Sequence, residues 1–287
     1  MANSMRVFQG GTAVITGAGS GIGEGLARVA AEQGMRVVLA DIAGDRAEAV
    51  AESIRGQGGE ALALVVDVSE PQSLDRLAAQ SQEAFGDVML LVNNAGVETL
   101  GFSWELSAEQ WEKTLNINIH GAIHGVRAFA PRMLAAGKPA WIANTASIGG
   151  LGMMPIQTSY ILSKHAMISF SECLSLEMQL KQAPIHVAAI LPGPVATRIF
   201  ADGGTSADAG SEQHRAMMHN MLEADGISGE EAARRILPQL AAREFWVSTH
   251  PEITREFAGN RARHLAGLEQ PALPAEVLAA MGLAVES

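Results

Sequence analysis

Short apolar runs and longer amphipathic runs alternate along the first two-thirds of this chain. Residues 12–16, 36–40, 61–66, 88–92, 140–144 and 185–191 are apolar on both alternating faces, as strands covered on two sides would be. Residues 22–33, 45–55, 71–85, 107–135 and 159–180 carry apolar positions at helical spacing. Buried strands joined by helices predict an α/β fold, a doubly wound parallel sheet with helices on both faces. Such sheets bind ligands at the carboxyl ends of their strands.

The pattern loosens after residue 197. Residues 198–226 are rich in small and polar types, and Met217, Met221 and Leu222 fall at helical spacing. This segment predicts a helical lid. Residues 229–241 read as a helix, with Glu230 and Glu231 suited to its first turn. Residues 244–247 read as a short strand, and residues 250–287 as a tail punctuated by Pro251, Pro271 and Pro274. All 287 residues are read as one domain: a core over 7–198, the lid over 198–226, and a C-terminal region over 227–287.

Composition narrows the classes of partner. Hydrophobic residues make up 48% of the chain and the net charge is −11. That balance argues for a sizeable core and against nucleic acid or anionic membrane as a partner. No apolar run is long enough to span a bilayer, and residues 1–11 lack the apolar segment of a signal peptide. A cytoplasmic location is expected. The lone cysteine, Cys173, excludes an internal disulfide and is read as a small buried hydrophobe. Trp104, Trp111, Trp141 and Trp246 are read as core or interface residues.

Two constellations carry chemistry. The first strand leads into Gly17–Ala18–Gly19–Ser20–Gly21–Ile22–Gly23 and then a helix. Glycines let a backbone turn sharply and approach a pyrophosphate, whose charge meets the helix N-terminus. The spacing is Thr-Gly-x-x-x-Gly-x-Gly, on Thr16, Gly17, Gly21 and Gly23. A glycine-rich turn without a ligand is the alternative; its place after the first strand favours a dinucleotide. Asp41 ends the second strand, where a carboxylate accepts both ribose hydroxyls and repels a 2′-phosphate. No Arg or Lys lies within residues 18–23, and the nearest after Asp41 is Arg46, so NAD is expected over NADP. Asp41 as a cap of the next helix is the alternative, a role Asp45 fills better.

The second constellation surrounds Tyr160, the only tyrosine in the chain. Lys164 lies four residues later, on the same helix face. Ser147 precedes Tyr160 by thirteen positions, just past a strand-like run. A free phenol titrates near ~10, and a neighbouring cation lowers that value. Lys164 is expected to hold the phenol below its usual range.

Together these segments resemble the short-chain dehydrogenase/reductase family, in its compact NAD-dependent branch, over residues 7–198. The resemblance implies a Rossmann-type fold and a set of cofactor contacts. These are Gly17, Ser20, Gly21, Ile22 and Gly23 at the turn, with Asp41 and Ile42 at the ribose. Asp67 and Val68 match the pair that meets the adenine. Asn94, Ala95 and Gly96 belong to the family's Asn-Asn-Ala-Gly segment, begun by Asn93. Pro192, Gly193, Val195 and Thr197 match the Pro-Gly-x-Val-x-Thr segment at the nicotinamide. Ser147, Tyr160 and Lys164, with Asn118, match the family's catalytic residues; Tyr160 and Lys164 also touch the cofactor.

The implied roles follow the chemistry. Tyr160 exchanges a proton with a substrate hydroxyl or carbonyl, and Lys164 tunes it. Ser147 holds the substrate oxygen, and Asn118 holds a water linking Lys164 to solvent. The resemblance puts Met153 and Met154 in the substrate pocket, and Met217 and Met221 in the lid over it. A bulky apolar small molecule, aryl or steroid-like, is expected as substrate. Ordinary helix packing explains the lid methionines equally well. Residues 245–252 and the tail resemble bacterial members acting on aromatic side-chain alcohols, including lignin-derived ones, and on steroids. Family members assemble as dimers or tetramers through the two long helices, here 107–135 and 159–180, so a homodimer or homotetramer is expected.

His120 and His124 have a spacing metals use, but no third ligand is evident; a helix-face pair and no metal are expected. Two other readings stay open. One is a non-catalytic NAD(H)-binding sensor or scaffold. The other is an epimerase or dehydratase of the family's extended branch, against which the turn spacing and small C-terminal region count.

Overall fold

The central strands are largely apolar because both of their faces are covered. In the computed structural model, which describes residues 4–206 and 209–273, the main sheet has seven strands. In chain order the elements begin β1 (Thr12–Thr16), α1 (Gly21–Glu32), β2 (Arg36–Asp41), α2 (Gly44–Gly56), β3 (Glu60–Val65) and α3 (Pro71–Phe85). Next come β4 (Val88–Asn93), β5 (Thr99–Leu100), α4 (Ala108–Leu115), α5 (Gly121–Ala136), β6 (Ala140–Thr145), α6 (Thr158–Leu180) and β7 (Ile185–Leu191). The C-terminal part adds β8 (Gly204–Thr205), α7 (Ala209–Asp225), α8 (Gly229–Ala241), β9 (Trp246–Ser248) and α9 (Pro251–Gly267). The strand order is β3-β2-β1-β4-β6-β7-β9, and every pairing is parallel.

Strand periodicity divides the core in two. Ala13 and Ile15 of β1, Val37 and Leu39 of β2, and Trp141 and Ala143 of β6 pack on the face covered by α1 and α8. Val14, Val38 and Ile142, each offset by one residue, pack on the face covered by α3, α5 and α6. Trp141 locks the first face: its indole N–H donates to the Leu240 carbonyl at 2.9 Å and its ring meets Phe8 edge-on.

The chain reverses winding direction between β1 and β4, which are neighbours though far apart in sequence. That reversal opens a crevice at the strands' carboxyl ends. Thr16 ties the two sides together: its Oγ1 accepts from the N–H groups of Asn94 and Ala95 at 2.9 and 3.1 Å. Deeper in, Asn93 donates to Asn144 at 2.8 Å, and Asn144 to Ser171 at 3.0 Å, which joins β4, β6 and α6.

Several predicted elements differ in detail. The long helix over 107–135 is continuous but contains a π-turn at Asn116–His120, and a Ser107–Gln110 capping box starts it. The segment 250–287 is not all tail: α9 covers its first half, with Pro251 in the first turn. Residues 274–287 lie outside the described part. The last strand is Trp246–Ser248, shifted from 244–247 because Val247 and Ser248 are the buried positions. Cys173 is exposed, not buried, since it falls on the outer side of α6 with Leu176 and Leu180. Trp141 is core, whereas Trp104 is 80% exposed and stacks on Phe102.

Candidate active site

The crevice leads into a cavity of about 720 Å³ that runs from the glycine turn to α9. The turn shapes one end. Gly17 has φ +65, a conformation that side-chain-bearing residues rarely adopt. At Gly23 a Cβ would lie 2.1 Å from the Gly17 carbonyl oxygen, so only glycine lets α1 start this close to β1. Ser20 stands at the N-cap of α1 but makes no side-chain cap, which leaves first-turn N–H groups available to an anion. Asp41 is buried behind the turn: its Oδ2 accepts from Gly19 N at 2.8 Å and its Oδ1 from Ala43 N at 2.9 Å. Each carboxylate oxygen keeps a further acceptor site. α2 begins without a side-chain cap from Asp45. Arg46, the nearest cation, turns across the cavity mouth to Asp202 at 3.2 Å.

Of the residues expected to touch a cofactor, Gly17, Ser20, Gly21, Ile22, Asp41, Ile42, Asp67, Val68, Asn94, Ala95 and Gly96 all line this cavity. So do Tyr160, Lys164, Pro192, Gly193, Val195 and Thr197. Gly23 is behind the lining and acts through backbone packing. A cavity with uncapped helix N–H groups at one end and a carboxylate beside them fits a dinucleotide.

The residues expected to be catalytic converge at the other end. Ser147 leaves β6 and accepts from Gly149 N at 3.0 Å. A Cβ on Gly149 would lie 3.3 Å from Ser147 Oγ and 3.7 Å from Tyr160 Cε1, so hydroxyl and phenol face one small space. Lys164 is buried; its Nζ donates to the Thr145 carbonyl at 2.9 Å and stands 5.4 Å from the centre of the Tyr160 ring. Asn118 sits in the π-turn behind them. Its Nδ2 donates to Val97 O at 2.9 Å and Ser163 Oγ at 3.0 Å, and its Oδ1 accepts from Val97 N at 2.8 Å. Both amide N–H groups are therefore committed to protein.

The electrostatics correct one expectation. The phenol of Tyr160 is pushed up, first by burial and then by the charge of Glu98, and only the Ser147 hydroxyl works the other way. Lys164 is itself pushed down to about 8 by burial, which the Glu98 charge opposes. Spacing alone put a cation beside a phenol; it did not show how little water surrounds them or that a second acid is present. Glu98 is 2% exposed, and burial pushes its carboxyl up to about 8 against the pull of Lys164.

The end of the cavity beneath α7 and α9 is mostly apolar. Met153, Met154 and Met221 line it, as do Ile199, Phe200, Met218, Leu222, Ile253 and Phe257. Met217 does not: it is 56% exposed, and its neighbour Met218 takes the inward position. Gln157, which bonds His214 of α7 at 3.1 Å, and Glu98 are among the polar lining residues that motif reading missed, as is Lys113. His120 and His124 lie on one helix face, ring centres 6.1 Å apart. Among the described residues no group of three or more His, Cys, Asp or Glu is placed to hold a metal, and no helix is long and apolar enough to cross a membrane.

Comparisons with known proteins agree with this geometry. The family model for short chain dehydrogenase matches residues 11–207. The 1-deoxy-11-beta-hydroxypentalenate dehydrogenase of Streptomyces avermitilis is 31% identical over 247 residues, covering 85% of this chain and 86% of that protein. A short-chain dehydrogenase/reductase from Burkholderia phymatum, solved in complex with NAD, superposes with a TM-score of 0.89 at 33% identity, over 93% of this chain and 98% of that one. LigO from Sphingobium, in its apo form, superposes with a TM-score of 0.77 at 25% identity, over 96% of this chain and 95% of that one. This chain belongs to the short-chain dehydrogenase/reductase family and is an oxidoreductase with its Rossmann-type fold.

Proposed function

We propose that this protein interconverts a secondary alcohol and a ketone with NAD. The observation that carries the reading is the convergence of Ser147, Tyr160 and Lys164 on one cavity with an uncapped α1 N-terminus and Asp41 at its far end. NAD, when bound, supplies the hydride chemistry. The first-turn N–H groups of α1 would hold its pyrophosphate and Asp41 its adenosine ribose. Asp41 favours NAD over NADP, and the pairing of Arg46 with Asp202 supports this by removing the nearest cation from a 2′-phosphate.

The residues divide the remaining work. Ser147 holds the substrate oxygen and stabilises charge as it develops. Tyr160 takes the hydroxyl proton in oxidation and returns it in reduction. Lys164 would bond the nicotinamide ribose and supply positive charge beside the phenolate. Asn118 fixes the Val97 backbone and borders the Lys164 pocket. A cofactor bearing positive charge beside Tyr160 would lower the raised phenol. The apolar lining from Met153, Met221, Phe200 and Phe257 fits a bulky aryl or steroid-like body. The Streptomyces avermitilis relative, a 1-deoxy-11-beta-hydroxypentalenate dehydrogenase, is in keeping with that class. Assembly as a homodimer or homotetramer, a cytoplasmic location and a single domain over all 287 residues belong to the same proposal.

The test is NADH formation from NAD across aryl, steroid and small aliphatic secondary alcohols. Tyr160→Phe should bind NAD normally and lose several powers of ten in turnover. Equal turnover in that variant would refute the reading.

A further inference from the structure

The roles above leave Glu98 unused. It lies between β4 and β5, lines the cavity and is buried. The backbone is held on both sides of it: Asn118 grips the N–H and C=O of Val97, and Ser159 donates to the Thr99 carbonyl at 3.1 Å. Its own carbonyl accepts from Gly204 N at 3.0 Å. The carboxyl therefore has a fixed root. Among the described residues no hydrogen bond reaches its buried Oε1. An unpartnered buried acid is destabilising, so its presence on a rigid loop at this cavity calls for a role beyond folding.

The surroundings name that role. From α6, Lys164 is the cation whose field reaches Glu98, and Tyr160 feels the Glu98 charge in turn. From α4, Lys113 stands on the cavity wall; from α7, His214 is bonded to Gln157; β8 presents backbone. We propose that Glu98 is a positioning residue of the catalytic set, whose carboxyl acts by charge on Lys164 and Tyr160 and so governs when the phenol releases its proton. The proposal rests on the acid/base role of Tyr160 given above.

Burial pushes the Glu98 carboxyl up and the Lys164 ammonium down, and the charge of each partly opposes the shift of the other. With a proton on Glu98, no negative charge faces the phenol and it ionises more readily. Without that proton, the carboxylate opposes the phenolate and holds the ammonium on Lys164.

Tyr160 is the only tyrosine, so ultraviolet difference spectroscopy after a pH jump reads this phenol alone, with no substrate needed. Glu98→Gln should lower its midpoint by about one pH unit or more, the effect of removing a nearby like charge. Glu98→Asp, which keeps the charge, should leave the midpoint within about half a unit of wild type. An unchanged or raised midpoint in Glu98→Gln, or an equal fall in both variants, would overturn the proposal. A wild-type protein that oxidises no alcohol would defeat the functional reading while leaving this titration to decide the coupling.

Discussion

Asn118→Ala removes an amide that makes three hydrogen bonds, at 2.8 and 2.9 Å to the partly buried Val97 backbone and at 3.0 Å to the buried Ser163 hydroxyl. The three partners do not suffer equally. Ser163 keeps the bond its hydroxyl donates to Tyr160 O at 2.6 Å, so it loses only an accepted bond. The Val97 N–H and C=O both lose their partner in a site where Asn118 is 3% exposed. An orphaned buried polar group costs about 1–3 kcal/mol, and the partial burial of both Val97 bonds keeps each loss toward the lower end. The expected loss of stability is about 2–4 kcal/mol, read from urea unfolding followed by circular dichroism at unchanged slope. Asn116→Ala is the matched control two residues away: its side chain makes an exposed bond to His120, and the change should stay within about 0.5 kcal/mol. The Asn118→Ala protein should also lose turnover beyond its loss of stability, because the Val97–Glu98 backbone is freed beside Lys164. Equal stability of the two variants would refute the claim that the Asn118 amide clamps this loop.

Other outcomes follow from the same contacts. Trp141→Ala removes a ring that is 1% exposed, its hydrogen bond to Leu240 and its edge contact with Phe8; chemical denaturation should show a loss of about 3–5 kcal/mol. Asp41→Asn keeps an acceptor for the turn but drops the charge, and should narrow the preference for NAD over NADP at least about tenfold in paired kcat/KM measurements. Glu98 also gives a pH dependence with a definite sign. Its folded pKa, about 8, lies above its unfolded value near 4.5, so the folded state binds the extra proton and its contribution falls as pH rises from 4.5 to 8. Glu98→Gln should therefore gain stability relative to wild type between pH 5 and 8, seen as a growing Tm difference; a constant difference would contradict the burial of an ionisable Glu98.

The sheet was legible because its central strands are buried on two faces, and continuous apolar runs such as 88–92 have few other readings. The cofactor turn was legible because backbone sterics restrict Gly17 and Gly23 to one residue type. Helix α9 was not: none of its residues is buried, so no core stripe marks it, and Pro251 at its start, with Pro271 beyond its end, reads as a break. The π-turn was invisible because one extra residue in a helical run leaves the apolar spacing nearly unchanged. Met217 and Met218 were indistinguishable by type, and only the rotation of α7 decides which faces the cavity. Glu98 was missed for a related reason. A glutamate after a strand ordinarily faces water, and only the packing of β5, β8 and α6 around it shows that this one does not.

The most direct test of the account is NADH formation by wild type and Tyr160→Phe, side by side, with NAD binding measured in both. The account predicts equal binding, turnover of a bulky secondary alcohol by wild type, and a fall of several powers of ten in the variant. Turnover that survives the loss of the phenol hydroxyl would contradict it.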